Sequence, residues 1–306
     1  MRYLELEGVP ALSRIGLGTW QFGSREWGYG DEYATVEAGR IVRRALELGV
    51  TLIDTAEIYG LGRSERIVGA ALGGDRDRAF LATKILPVFP VAAVVRRRAA
   101  GSARRLGVRR LDLYQVHQPN PLVRDGTTMR GMRVLQDRGV VGEVGVSNYS
   151  LGRWRAAERA LGRRVLSNQV AYSLVERTAE RELIPFATGS DRLVIAHSPL
   201  ARGFLSGRYG PDDRPRNAVR RRGLFSSESL ERGRGLLAVL REIADGRGVT
   251  QAQVALAWVI RHPNVVAIVG ASSVEQLEAN AAAVEIELTR AEVDVLTAAA
   301  AAFRPA

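Results

Sequence analysis

The chain has 306 residues, 46% hydrophobic and 25% charged, a balance that supports a packed core and excludes a disordered or low-complexity polymer. It contains no cysteine, which excludes disulfides, thiolate metal sites and a thiol nucleophile. The formal net charge is +11, but most basic residues fall inside amphipathic segments such as RIVRRALELG (40–49), with no basic tail and no interleaved aromatic stripe. No nucleic-acid or membrane partner is therefore expected. The carboxylates and three histidines show no metal-ligand spacing, so no metal is expected. No apolar run reaches the roughly 18 residues of a membrane span, and MRYLELEGVP has no apolar signal core. A cytoplasmic setting is expected.

The opening segment MRYLELEGVPAL (1–12) reads as a small hairpin. Strand-like and helix-like runs then alternate to the end of the chain. The strands are predicted at 14–20, 51–56, 79–84, 111–117, 141–147, 165–171, 192–198 and 265–271. Apolar residues at helical period fill 33–49, 63–73, 91–106, 127–139, 150–162, 177–188, 228–246 with 250–261, 273–285 and 289–302. Thr250 with Gln253, Ser273 with Gln276 and Thr289 with Glu292 fit the capping box, while Gly49, Gly107 and Gly139 sit where helices should stop.

Eight strand–helix units leave two α/β architectures, a closed (β/α)8 TIM barrel and an open doubly wound sheet. The count and length favour the barrel, as one unit over 1–306. The first strand leads into GTWQFGSREWGYG and not into a glycine-rich turn that opens a helix, so the dinucleotide fingerprint of the open sheet is missing. The N-terminal hairpin would cap the barrel's bottom. A long irregular loop, 199–227, follows the seventh strand, and loops of that length are usually functional or disordered.

In such a barrel the chemistry collects where the strands end. Those ends carry Thr19 and Trp20, then Asp54 with Tyr59 five residues on, Lys84, His117, Ser147 with Asn148, Asn168 with Gln169, His197 with Ser198, and Gly270 to Ser273. Lys84 is the single lysine among 44 basic residues, and it closes the apolar strand AFLATK. A charge there is costly unless paired, and Asp54 closes another apolar strand in the same way. An ammonium beside a tyrosine hydroxyl favours the phenolate and pulls its pKa down, which would tune Tyr59 as a general acid. Each residue also has a structural reading taken singly: Asp54 as a helix cap, Tyr59 as a loop aromatic, the histidines as core residues. Four ionisable groups on neighbouring strand ends together point to a site.

These residues lie in motifs that resemble the aldo-keto reductases, in order and over nearly the whole chain. They are RIGLGTW (14–20), DTAEIYGLGRSE (54–65), FLATK (80–84), LDLYQVHQP (111–119), GVSNYS (145–150), NQVAYS (168–173), SPLARGFLSGRY (198–209) and GASSVEQLEAN (270–280). The closest likeness is to bacterial reductases and the channel-associated β-subunit branch. The resemblance implies NADPH-dependent reduction of a small-molecule aldehyde or ketone, with NADH as the alternative cofactor. It implies a catalytic tetrad of Asp54, Tyr59, Lys84 and His117, with Tyr59 as proton donor. A second reading is a cofactor-binding, redox-sensing subunit with little turnover that acts on a partner protein.

The same resemblance implies cofactor contacts at Thr19, Trp20, Ser147, Asn148, Gln169, His197, Ser198, Leu200, Arg202, Arg208, Gly270, Ser272, Gln276 and Asn280. His197 stands where relatives place an aromatic ring against the nicotinamide. Many NADPH-preferring relatives carry lysine at the position of Gly270 or arginine at that of Ser272; this chain has neither. Arg208 or the arginines at 220–222 would then help hold the extra phosphate, and the 199–227 loop would fold over the cofactor. Trp20, Phe22, Trp27 and Leu86 are expected to wall the substrate site, because pockets are mostly apolar with a few polar groups.

Overall fold

The structure, a computed structural model, describes residues 1–210, 213, 215, 217 and 223–304. Strands β1 (Tyr3–Leu6) and β2 (Val9–Ser13) form an antiparallel hairpin. Eight parallel strands follow: β3 (Ile15–Gly18), β4 (Leu52–Asp54), β5 (Phe80–Ile85), β6 (Leu111–Val116), β7 (Val141–Ser147), β8 (Ser167–Ala171), β9 (Leu193–His197) and β10 (Val265–Val269). They close in sequence order, with β10 pairing back to β3. The architecture is the expected (β/α)8 TIM barrel, and every predicted barrel strand is present.

The helices are α1 (Gly30–Glu32), α2 (Ala38–Glu47), α3 (Arg63–Leu72), α4 (Ala92–Leu106), α5 (Asp125–Asp137), α6 (Leu151–Leu161), α7 (Leu183–Gly189), α8 (Ser227–Arg232), α9 (Arg234–Arg247), α10 (Gln251–Val259), α11 (Val274–Ala282) and α12 (Arg290–Ala302). The helix predicted over 177–188 is broken into a 3-10 turn, Thr178–Glu180, and α7. Pro185 has no N–H to reach back to the carbonyl of residue 181, so it would break the interior of a helix over 177–188 but is accepted in the first turn of α7. Full capping boxes form at Thr250 and Thr289. At Ser273 only half forms: Ser273 accepts from the Gln276 N–H, while Gln276 Oε1 accepts from the Ser272 N–H (2.8 Å).

The strand interior is layered. Leu52, Ala82, Leu113, Leu193, Ile195, Val266 and Ile268 pack inside the barrel with Leu4, Leu6 and Leu12 of the hairpin, which closes the bottom as expected. One strand face alternates with period two, so these positions continue upward into Asp54, Lys84, Gln115 and His197. The lower barrel is dry and apolar; the upper barrel is polar. A second cluster, with Ile41, Val42, Trp154 and Trp258 at its centre, joins the strands to the helices.

Helices α3 and α4 meet closely at Gly69, where a Cβ atom would lie 2.5 Å from the Leu106 carbonyl oxygen. Gly69→Ala should lower stability by about 1–3 kcal/mol in denaturant unfolding, because backbone has to move. Gly246→Ala on α9, where a Cβ meets nothing within 4 Å, should leave stability unchanged or raise it by up to ~1 kcal/mol.

Candidate active site

Lys84 is the centre of the upper barrel. Its side chain is fully buried and rises between β4 and β6. Nζ donates to Asp54 Oδ2 (2.5 Å), the Thr55 carbonyl (3.0 Å) and the Tyr59 hydroxyl (3.2 Å). Three acceptors thus meet the three protons of one ammonium. Asp54 is buried as well, and its second oxygen accepts from Gln169 Nε2 (2.7 Å) and Gln115 Nε2 (3.4 Å). Ser167 Oγ donates to Gln115 Oε1 (3.4 Å), which carries the network to β8. The ion pair therefore has hydrogen bonds on both members, the condition under which buried charges are tolerated.

Tyr59 sits in a 3-10 turn, Tyr59–Gly62, directly after β4. Gly60 there has φ 53°, and a Cβ on it would lie 2.6 Å from the Gly23 carbonyl oxygen. The turn brings the phenol over the strand ends and leaves part of its ring open. Trp20 stacks on it with ring centres 6.3 Å apart, and the His117 ring meets it edge-on at 5.8 Å.

The electrostatics of the site follow from burial and from Lys84. Burial by itself would lower the lysine's pKa, but Asp54 and Tyr59 more than offset it, and the ammonium is held above its ordinary value. Burial raises the Tyr59 phenol, and Asp54 adds to that; Lys84 pulls the other way and does not win. This corrects the expectation that Lys84 brings Tyr59 down toward neutral pH. In the protein without ligand, Tyr59 is a phenol that holds its proton. His117 is lowered to about 3 by burial, then by Lys84 and His197. His197 is lowered to about 4 by burial, then by Lys84 and Arg202. Both rings are neutral at pH 7. Among the described residues His117 Nδ1 is buried without a hydrogen-bond partner, so Nε2 is the ring nitrogen left open.

The remaining expected residues divide into groups. Ser147 Oγ donates to the Gln169 carbonyl (2.8 Å), and Asn148 Nδ2 donates to Ser147 Oγ (3.0 Å) and the His117 carbonyl (3.3 Å). His197 lies 3.4 Å from Asn148 Oδ1 and 3.3 Å from Ser198 Oγ. These residues border the group formed by Asp54, Tyr59, Lys84 and His117. A second cluster lies after β10, where Asn280 Nδ2 donates to the Gly270 carbonyl (3.4 Å) and Gln276 holds Ser272. Between them runs the loop after β9, with Ser198, Ala201, Arg202, Gly203 and Gly207 all at positive φ. Its turns are closed on themselves: the Ala201 N–H donates to the Ser198 carbonyl (2.8 Å) and the Gly203 N–H to the Leu200 carbonyl (2.9 Å). Arg202 and Arg208 are exposed on this loop. The arginines at 220–222 and most of 211–222 lie outside the described residues.

Two expectations need correction. Thr19 does not turn its hydroxyl to the cleft: it is fully buried, donates to the Asp54 carbonyl (2.9 Å) and meets Ser64 Oγ (2.8 Å), so it braces β3 against β4. Phe22 is not a pocket wall: it is fully buried against Tyr33, with ring centres 6.0 Å apart. Trp20 and Trp27 remain partly open and meet edge-to-face at 5.2 Å. Leu86 is half-buried, and its N–H donates to Glu57 Oε1 (2.5 Å).

Gln115 and the Thr55 carbonyl belong to the site and were not anticipated. Gln115 was findable, because it lies two residues before His117 on the inward face of β6. A cavity of about 570 Å³ between Leu174, Arg177 and Arg181 and the end of α12 at Phe303 and Arg304 contains none of these groups.

Comparison with known proteins agrees with this geometry. A profile described as the Aldo/keto reductase family matches residues 14–301. The chain is 58% identical over 305 residues to an uncharacterized oxidoreductase, Rv2298, of Mycobacterium tuberculosis, covering 100% of this chain and 94% of that protein. Among solved structures, glycerol dehydrogenase AKR11B4 from Gluconobacter oxydans superposes with a TM-score of 0.89 at 28% identity, covering 98% of this chain and 95% of that one. An aldo/keto reductase from Klebsiella pneumoniae, in complex with NADP and acetate, gives a TM-score of 0.76 at 33% identity, covering 96% and 93%.

The depressed histidine sets a pH dependence. Between its ordinary 6.5 and about 3, His117 stays neutral in the fold but takes up a proton in the unfolded chain, so stability falls as the pH drops through that window. His117→Asn should flatten the acid limb of the stability curve between about pH 6 and pH 4 by up to ~1.4 kcal/mol per pH unit. Urea unfolding across that range checks it by slope, whatever the variant's absolute stability.

Proposed function

We propose, given that the chain belongs to the aldo/keto reductase family, that it reduces an aldehyde or ketone to an alcohol with NADPH, Tyr59 delivering the proton. The observation that carries this reading is the buried chain from Asp54 through Lys84 to the Tyr59 hydroxyl, ending beside a neutral His117. A bound nicotinamide cofactor would supply the hydride to the carbonyl carbon.

The residues supply the rest. The Tyr59 phenol gives its proton to the carbonyl oxygen, and the phenolate left behind faces the Lys84 ammonium at 3.2 Å. Lys84 thus acts where charge develops and not on the resting phenol, which is how a preorganised charge lowers a barrier. Asp54, held by Gln169 and Gln115, keeps the ammonium in place and charged. Neutral His117 offers Nε2 to the same carbonyl oxygen and orients it.

The donor set fits a dinucleotide. Ser147, Asn148 and Gln169 would hold the carboxamide and His197 would lie at the ring. The loop from Ser198 to Gly207, with Ser198, Leu200 and the exposed Arg202 and Arg208, would lie along the pyrophosphate. Ser272, Gln276 and Asn280 would meet the adenosine end. No side chain reaches out from Gly270, where a Cβ would meet the end of the Gln21 side chain (2.6 Å from Oε1). The extra phosphate of NADPH would therefore rely on arginines of the loop after β9, such as Arg208.

The test is loss of NADPH absorbance with a panel of aldehydes and ketones. Tyr59→Phe should lower kcat by about 10²–10⁴-fold while NADPH still binds. NADH should serve as a weaker cofactor, and equal use of the two would contradict the NADPH preference. Tight NADPH binding with no turnover of any panel member would favour the redox-sensing subunit instead.

A further inference from the structure

The net charge of +11 is not spread evenly over the barrel. Residues 91–164 hold sixteen arginines and five carboxylates, a difference equal to the whole of it, while the rest of the chain holds twenty-eight basic and twenty-eight acidic side chains. A general preference for arginine would not part bases from acids in this way. The segment folds as α4, β6, α5, β7 and α6, and the three helices pack side by side on the outside of the barrel. All five carboxylates are already in ion pairs, from Asp112 with Arg76 (2.6 Å) to Glu158 with Arg192 (2.9 Å). Arg97 and Arg104 on α4, Arg130 on α5, Arg138 at its end, and Arg155 and Arg159 on α6 are exposed, and among the described residues none of the six pairs with a carboxylate. Helix dipoles account for Arg104, Arg138 and Arg159, which lie at or near C-terminal ends, where positive charge is favoured. They do not account for Arg97, Arg130 and Arg155, which sit mid-helix.

A surface with unpaired positive charge fits a polyanion. A second copy of the chain does not supply one. The most acidic stretch, 271–294, has five of its six carboxylates in ion pairs, and only Glu275 is left over. A lipid surface is a poorer match, because the outer helix faces have nothing apolar to insert among headgroups. The large exposed apolar side chains of the segment, Val91 and Leu122, lie in loops at the barrel mouth. Unpaired bases are a poorer match as well. The aromatic rings of the segment, Tyr114, Tyr149 and Trp154, are all buried, so none is open for stacking. What these arginines suit is a phosphodiester backbone, whose two free oxygens the guanidinium fork meets together.

We propose that the outer face of α4, α5 and α6 docks the phosphate backbone of a nucleic-acid duplex. The missing basic tail and aromatic stripe, the grounds for expecting no such partner, argue against base stacking and not against backbone contact. Arg109 and Arg110, exposed in the turn between α4 and β6, extend the face to the bottom of the barrel. The mouth, where Tyr59 and Lys84 sit, is left open, and the inference is independent of the reductase reading.

The experiment is fluorescence anisotropy of a labelled DNA duplex of about 25 base pairs across a salt series. It compares the wild type, the face variant Arg97→Gln/Arg104→Gln/Arg130→Gln/Arg159→Gln, and the control Arg40→Gln/Arg234→Gln/Arg241→Gln/Arg290→Gln. The control removes the same charge from exposed positions on other helices, and melting curves confirm that both variants fold. The wild type should bind with a Kd of about 1–100 μM near physiological salt, and equally to two unrelated sequences. The face variant should bind at least about tenfold more weakly, with a log–log salt slope shallower by about 3. The control should stay within about threefold of the wild type. No wild-type binding even at low salt overturns the proposal. Equal losses in the two variants overturn it too, since net charge alone would then be at work. Tighter wild-type binding to phosphatidylserine vesicles than to the duplex, lost in the face variant, would assign the face to a membrane and overturn it. A salt-labile dimer that the face variant dissociates, read by light scattering, would assign it to a second copy with the same result.

Discussion

Three protons on one buried nitrogen organise this molecule. The Lys84 ammonium has no access to water, so each N–H needs an acceptor from the protein, and Asp54, Thr55 and Tyr59 provide one each. A guanidinium could not take this place, because its planar fork spreads its donors over a wider area. That requirement gives a reason why the chain keeps one lysine while using arginine everywhere else. The acceptors come from the end of β4 and the turn that follows it, so the ion pair fixes where that turn sits. Everything that contacts Tyr59, from Trp20 to His117, inherits its position.

The barrel makes such a pair affordable. Each inward strand face is apolar at the bottom and polar at the top, so one set of strands supplies both a dry core and a hydrogen-bonded site. Hairpin leucines close the dry end. At the open end the network runs from Ser167 through Gln115 and Asp54 to Lys84. The outer structure supports it: Glu65 on α3 is fully buried and accepts from Thr83 Oγ1 (2.7 Å) and Arg105 Nε (2.5 Å). The strand that carries Lys84 is thereby tied to two helices. Rigid support of this kind lets a site hold a charge in advance of the reaction that needs it.

Much of this was legible in the sequence, and for physical reasons. A polar or charged residue that closes an apolar strand stands out, as Asp54, Lys84 and His117 do. Gln115 follows the same period-two rule and was readable in principle. Glu65 was not, because the groups that pair with it in the interior, Thr83 and Arg105, are distant in sequence. The aromatic-rich segment after β3 announced rings near the site without saying which turn inward; Phe22 goes to the core while Trp20 covers Tyr59. The direction of the Tyr59 shift was also beyond sequence, since it depends on whether burial or Lys84 prevails.

That balance is the claim most open to direct measurement. Tyrosinate absorbance, or the ring-carbon NMR signal of labelled tyrosine, can be followed against pH in the ligand-free protein and assigned by comparison with Tyr59→Phe. The account predicts that the Tyr59 signal stays that of a phenol through neutral pH and ionises only above the ordinary tyrosine value of about 10. Ionisation of Tyr59 near neutral pH would contradict it, and would mean that Lys84 outweighs burial in the resting site.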